Sequence, residues 1–434
     1  MEEGMKLDYK RTFFVGLAFL SICAFWQMYD NIIPLMLKNN FHLNDMVIGA
    51  VMALDNVLAL FMLPLFGAFS DKVNTRYGKR MPFIVIGTIL AVVSMTFIPI
   101  AAHQTNLVMF MVFLGIVLVA MGSYRSPTVA LMPDITPKPL RSKANAVINL
   151  MGAIGGVYTL IMIIVLVKDE DKYSYAKVFL SVSLIMAIAV IILFFTINER
   201  KMSQTDQEEI IITKKKEEES KKSMVKYFMG MPLEVRTSFF FLLASVFFWF
   251  FAYNAITTAF SRYAQVVWGL KEGGFATPLL IATIASIFSY IPIGNIACRV
   301  GRKKSILAGI IIMTVTYLMG MIFLHYSSWV NVVFAFTGIG WAAINVNSYP
   351  MIVEMCKGSD IGKYTGIYYI FSMSAQIITP IVSGAFMKYI SYRSLFPYAV
   401  LFSVVSFCTM LFVKHGDSKP ERKKDLLENY DSED

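Results

Sequence analysis

The sequence predicts an all-α membrane protein: twelve transmembrane helices in two pseudo-symmetric six-helix bundles. Three observations predict it. Of 434 residues, 57% are hydrophobic and only 16% are charged, where soluble domains carry charge on about a quarter of their residues. The apolar residues gather into about twelve runs of roughly 20, each able to cross the hydrocarbon core as a helix. A charged, glycine-pinned loop at 64–83 returns in weaker form at 294–304, each copy lying between two apolar runs.

The runs cover 12–37, 46–70, 82–103, 107–132, 144–167, 176–197, 237–261, 277–297, 305–325, 330–353, 364–387 and 394–413. The first is too long for a signal-peptide core and lacks a small-residue cleavage site, so it reads as a retained helix. The formal charge of +10 sits in short loops, which makes it a topology signal rather than a nucleic-acid footprint. With both termini inside, the N-terminus, the loops after even-numbered helices and the tail hold about 30 Lys and Arg, against roughly 8 opposite. Both termini are therefore expected to be cytoplasmic. Cys23, Cys298, Cys356 and Cys408 lie in or beside apolar runs, with neither metal spacing nor a disulfide framework. No nucleotide loop, catalytic triad or metal cluster is present, so no enzyme and no cofactor is expected.

The halves repeat. Trp26 and Asn31 recur at the same spacing as Trp249 and Asn254, and Asp134 with Lys143 recurs as Glu354 with Lys363. This gives an N-terminal bundle at 1–198, a charged linker at 199–235, a C-terminal bundle at 236–413 and a tail at 414–434, the bundles being parallel repeats about an axis along the membrane normal. Linker and tail read as solvated segments.

Ionisable groups within apolar runs need an account, because each costs a few kcal/mol in a bilayer. Three stand out: Asp30, Asp55 and Arg125. Counted at about 1.5 Å per residue, Asp30 and Asp55 lie at one depth, with Arg125 over 10 Å further in. Two carboxylates brought together at one level suit proton binding and release, or each bonds a neighbouring helix. Arg125 can anchor a solute or exchange partners with an acid, or snorkel to the surface. Trp26, Trp249 and Trp341 lie near run centres, while Trp268 and Trp329 fall where interfacial tryptophan belongs. With Tyr29, Tyr124, Tyr253, Asn31, Asn254, Asn345 and Gln376, the central tryptophans supply stacking faces and hydrogen-bonding groups for a small molecule. The alternative is helix packing.

Six plus six helices joined by this loop resemble the major facilitator superfamily. Within it, Asp71, the four residues to Arg76, then Gly78, Lys79, Arg80 and Pro82 resemble the glycoside–pentoside–hexuronide cation symporters and the sucrose–proton symporters, as do residues 130–136 followed by Arg141 and Lys143. The resemblance implies a secondary active transporter rocking two halves around a mid-membrane site. It further implies proton-coupled uptake of a sugar or glycoside, with Asp30 and Asp55 as coupling candidates. It assigns Gly67, Asp71, Arg76, Gly78, Lys79, Arg80, Asp134, Arg141 and Lys143, with Arg299, Gly301, Arg302, Glu354 and Lys363 in the second half, to cytoplasmic gating that latches the halves together. Cys298 stands where the second copy would have its acid. The functional Arg of sucrose-type symporters corresponds to Val129, one turn beyond Arg125. The cation-binding acids of melibiose-type carriers correspond to Leu63 and Ala59, which favours protons over sodium. The expected partners are a small-molecule substrate and the lipid bilayer, with no nucleic acid, in a monomer of the plasma membrane. Alternatives are a proton-driven exporter of amphipathic or drug-like compounds, a lipid carrier, and a non-transporting sensor.

Overall fold

In hydrocarbon each backbone N–H and C=O must find a partner within its own segment, so long apolar runs fold as helices. The computed structural model describes residues 7–137, 140–168, 173–199, 233–271, 273–355 and 361–417. The first half holds α1 (Tyr9–Asn39), α2 (Asp45–Met52), α3 (Leu54–Lys72), α4 (Met81–His103), α5 (Leu107–Ile135), α6 (Arg141–Leu166) and α7 (Ser174–Thr196). The second holds α8 (Leu233–Val266), α9 (Ala276–Val300), α10 (Arg302–Ile322), α11 (Trp329–Glu354), α12 (Ile361–Tyr389), a 3-10 turn (Tyr392–Ser394) and α13 (Leu395–Leu411). Among the described residues twelve spans are long and apolar enough to cross a membrane, α2 and α3 together forming the second. Large apolar side chains such as Phe61, Phe195 and Phe288 point outward, as a lipid-facing surface requires. Nearly all of the predicted linker and most of the tail lie outside the described residues.

Packing repeats between the halves. α1 packs on α6 and α7 as α8 packs on α12 and α13; α4 meets α5 and α7 as α10 meets α11 and α13; α3 meets α5 as α9 meets α11. Among the described residues the main pairings that join the halves are α2 with α12, α6 with α9, and α1 with α8, with a lesser one of α3 with α12. The second span departs from the sequence reading, which made it continuous. It breaks at Ala53, whose N–H turns back to the carbonyls of Gly49 and Val51. Asp55 thereby falls in the first turn of α3, where helix-end N–H groups favour a carboxylate.

Hydrogen bonds between the halves cluster at the end remote from the termini. Asn39 donates to Gln265 at 3.3 Å, the N–H of Gly273 donates to the carbonyl of Val167 at 3.1 Å, and Asp45 binds Arg262 and Tyr392. There α2 and α12 touch backbone to backbone. A Cβ on Gly49 would stand 1.9 Å from the carbonyl oxygen of Pro380, and one on Gly384 would stand 2.4 Å from that of Asp45. Even alanine at 49 must drive the helices apart. Overpacking of this kind costs about 1–3 kcal/mol, so Gly49→Ala is expected to lengthen the mean distance between spin labels at residues 40 and 391. An unchanged distance distribution would show that the contact does not hold the halves closed. Trp268 also differs from expectation. It is 6% exposed and donates to the carbonyl of Phe323 at 2.8 Å, so it plugs the second bundle, whereas Trp329, 70% exposed, remains on the surface.

Candidate functional site

A cavity of about 330 Å³ opens between the halves, lined by residues at helical spacing. α1 contributes Gln27, Asp30 and Asn31; α8 contributes Tyr253, Asn254, Ile256 and Thr257; α9 contributes Leu279, Ala282, Thr283, Ser286, Ile287 and Tyr290. Tyr317 of α10 and Phe334, Thr337, Gly338 and Trp341 of α11 complete the far wall. Each set follows the i, i+3, i+4 stripe of one helix face. Trp341 and Tyr253 stack at 3.7 Å with planes 4° apart, so α8 and α11 present a continuous aromatic platform. Asp30 is the one lining residue with a charged side chain among those described. The wall from the second half offers hydroxyls, an amide and rings, but no Asp, Glu, Lys, Arg or His.

Of the predicted residues, Asp30, Asn31, Tyr253, Asn254 and Trp341 line this cavity. Trp249 does not: it is 2% exposed and packs beside Phe250 in the core. The reason is angular. Five residues turn a helix by about 500°, or 140° net, so Trp249 and Asn254 cannot share a face. The same offset separates Trp26 from Asn31, and Trp26 packs edge-on against Phe25 and Tyr29. Tyr29 is buried, its hydroxyl donating to the carbonyl of Val51 at 3.5 Å. Tyr124 is buried on Ser21 and the carbonyl of Ala18. Asn345 donates to the Tyr290 hydroxyl at 3.1 Å, so it supports a lining ring from behind. Gln376 is half-buried on α12 outside the lining.

Asp55 and Arg125 are not in the lining of this cavity. The Asp55 carboxylate accepts from the Asn56 amide at 2.8 Å. Its charge acts on Asp30 and Tyr29, while the charge of Arg125 acts on Asp55. Depth counted along straight helices kept Arg125 remote from the acids. Its long side chain brings the guanidinium within electrostatic range of Asp55, without a direct ion pair among the described residues.

The charged loop folds around Arg80, only 6% exposed. Its guanidinium binds Asp71 at 2.5 Å, Asp134 at 2.9 Å, Ser70, and the Gly67 carbonyl. Burial alone would lower the pKa of Arg80, but Asp134 and Asp71 outweigh it and hold the group above its ordinary value. Gly78 takes φ +113°, and a Cβ there would strike the carboxylate of Glu199. That carboxylate, which the sequence reading passed over, accepts the backbone N–H groups of Lys79, Arg80 and Met81 and caps α4. Arg76 lies over the Tyr77 ring and Arg141 donates to the Thr136 carbonyl. In the second half Arg302 pairs with Glu354, Gly301 takes φ +97°, and Asp417 accepts the N–H of Lys303. Arg299 belongs to the last turn of α9. The Lys363 side chain lies outside the described residues, and Lys143 has a partner. In this state Arg80 and Arg302 bind acids of their own bundles rather than bridging the halves.

Two bundles with matched charged loops around one cavity set the expectation that a family comparison tests. The Major Facilitator Superfamily model matches residues 15–290 and 274–429. The chain belongs to the Major Facilitator Superfamily. It is thus an integral membrane protein and a secondary transporter of small molecules, not an enzyme. Among curated proteins it is 27% identical to "Sucrose transport protein SUC3" of Arabidopsis thaliana, over 23% of this chain and 20% of that relative. The chain therefore matches about a fifth of that relative's length. Among solved structures it resembles a POT family transporter in complex with 5-aminolevulinic acid, with TM-score 0.70 and 12% identity over 95% of this chain and 96% of that one. It also resembles a bacterial homologue of the human drug peptide transporters PepT1 and PepT2, with TM-score 0.69 and 12% identity over 94% and 98%. At such identity these likenesses speak for the fold.

In this superfamily member the strongest polar contact between halves involves residues that sequence reasoning did not single out. Asp45, 3% exposed at the start of α2, accepts from Arg262 of α8 at 3.0 Å and from the Tyr392 hydroxyl at 2.5 Å, with Lys38 at 3.2 Å. In sequence Asp45 and Arg262 both read as loop charge. The only signal was their position immediately beside apolar runs.

Proposed function

We propose that the chain is a symporter that takes up a neutral, polyhydroxylated solute, a sugar or glycoside, together with protons by alternating access. The observation that carries this reading is the makeup of the cavity wall. The second half offers a stacked tyrosine–tryptophan platform beside threonine, serine, tyrosine and asparagine groups, with no charged side chain. A peptide brings an ammonium and a carboxylate, and a desolvated charge without a counter-charge is costly. A sugar asks instead for apolar stacking and neutral hydrogen bonds. The volume lies at the low end of small-molecule pockets, roughly 300–1,000 Å³, which favours a compact solute over a lipid. Asp30 on the opposite wall, with Asp55 in electrostatic reach, supplies the carboxyl pair for proton coupling, and Arg125 modulates Asp55.

The test is uptake into proteoliposomes under an imposed pH gradient. Wild type is expected to concentrate a disaccharide, and Asp55→Asn and Asp30→Asn to lose accumulation while retaining exchange down a sugar gradient. A lipophilic dye driven by the gradient, with no sugar moved, would replace this reading with that of an exporter of amphipathic compounds. Undiminished accumulation in both variants would remove the two acids from coupling.

A further inference from the structure

Several hydroxyls around the cavity are engaged by protein partners. Thr257 donates to the Asn254 carbonyl, Thr283 to that of Leu279, and Thr337 is bonded to Thr316 and the Val333 carbonyl. Three buried polar atoms on lining residues have no protein partner among the described residues. Asn31 is 1% exposed, and its amide nitrogen donates to the Gln27 carbonyl at 2.9 Å. Only an N–H can bond that carbonyl, so the amide is oriented with Oδ1 turned away, and Oδ1 has no protein partner among the described residues. The Nδ2 of Asn254 and the hydroxyl of Tyr317, itself 1% exposed, are likewise buried without protein partners among the described residues. Buried polar atoms are nearly always satisfied, and three on residues around one cavity, drawn from both halves, point to partners that a ligand supplies.

We propose that Asn31, Asn254 and Tyr317 form a hydroxyl-reading subsite that spans both halves. The inference rests on the functional reading above and specifies it. Asn31 offers only an acceptor, Asn254 a donor, and Tyr317 either. An ammonium would satisfy acceptors alone, a carboxylate donors alone, and an alkyl chain neither. Neighbouring hydroxyls, each both donor and acceptor, answer all three. Asn31 and Asn254 occupy equivalent positions in the repeat, on α1 and α8, which pack against each other across the halves. A ligand bonded to both therefore ties one bundle to the other, which couples recognition of the hydroxyls to the relative position of the halves.

The test uses the full chain in detergent and equilibrium binding read by intrinsic tryptophan fluorescence. The probes are sucrose, maltose, lactose and melibiose, followed by the monodeoxy derivatives of the tightest binder. Tyr317→Phe and Asn254→Asp, both close in shape to the native residue, are each expected to weaken that sugar by about tenfold. One monodeoxy derivative is expected to bind wild type and Tyr317→Phe alike, because it lacks the hydroxyl that Tyr317 bonds. Affinities within about twofold of wild type in both variants, with the sugar still bound, overturn the subsite and leave the functional reading intact. So does an equal loss for every deoxy derivative, which marks a general disturbance. If none of the four sugars binds wild type while rhodamine 6G does, the functional reading fails and the subsite with it.

Discussion

An Arg262→Met chain is expected to come open at the end remote from its termini. Arg262 is 1% exposed and its guanidinium sits on Asp45, itself 3% exposed. Removing one partner of such a buried pair costs about 3–5 kcal/mol, because the remaining charge is left in low dielectric. Here the cost falls on one conformation. The partners come from different halves, so parting the halves hydrates Asp45 and relieves the penalty. Lys38, partly exposed, and Tyr392 offset some of it. The balance between closed and parted far ends should therefore shift by on the order of a hundredfold. A cysteine at Ile287, in the cavity wall, should react correspondingly faster with a maleimide applied from that side, in an otherwise cysteine-free chain. Asp45→Asn combined with Arg262→Gln should be much milder than the sum of its parts, as coupling through one contact requires. Equal labelling rates in a folded Arg262→Met chain would mean that the glycine-mediated contact of α2 with α12 holds this end closed without the ion pair.

Arg80→Met is expected to lower thermal stability more than Arg302→Met. Both arginines start the second helix of a charged loop, and each meets the acid at the end of the next helix, Asp134 or Glu354. Arg80 has a second acid, Asp71, where the other half has Cys298. Its loss strands two carboxylates and frees Ser70 and the Gly67 carbonyl as well. Asp71 is 46% exposed, so water takes up part of the penalty. About 3 kcal/mol remains reasonable for Arg80, and roughly half that for Arg302. Melting curves of the purified variants in one detergent decide it. If Arg302→Met melts as low as Arg80→Met, the second acid contributes nothing and the two loops are energetically equal.

The spans were legible because hydrocarbon leaves an apolar run one way to satisfy its backbone. Their ends were less so. α8 runs on from 261 to Val266 because Arg262 is neutralised by an acid from the other half, a partner that no local pattern reveals. The break at Ala53 has no proline at the break to announce it. Within the site, residue type was readable but direction was not. The asparagine pair was found through the repeat and reaches the cavity. The tryptophan pair was found the same way and does not, since five residues of helix carry it to another face. Tyr317 went unnoticed as one tyrosine in an apolar run. Its meaning lies in what surrounds its hydroxyl, which only tertiary structure supplies. Glu199 was assigned to a solvated linker because its partners are backbone N–H groups 118 to 120 residues earlier.

The charge-free wall lent by the second half has a consequence for bioenergetics. On the proposed reading that wall selects a neutral solute, so each cycle with one proton carries one net positive charge through the bilayer, because charges fixed on the protein return with it. On that reading membrane voltage drives the cycle directly, at about 2.3 kcal/mol per charge for each 100 mV. That is close to a fiftyfold accumulation ratio with no acidity difference at all. A carrier built this way is a current source: solute added to a voltage-clamped membrane should produce an inward current that rises with hyperpolarisation.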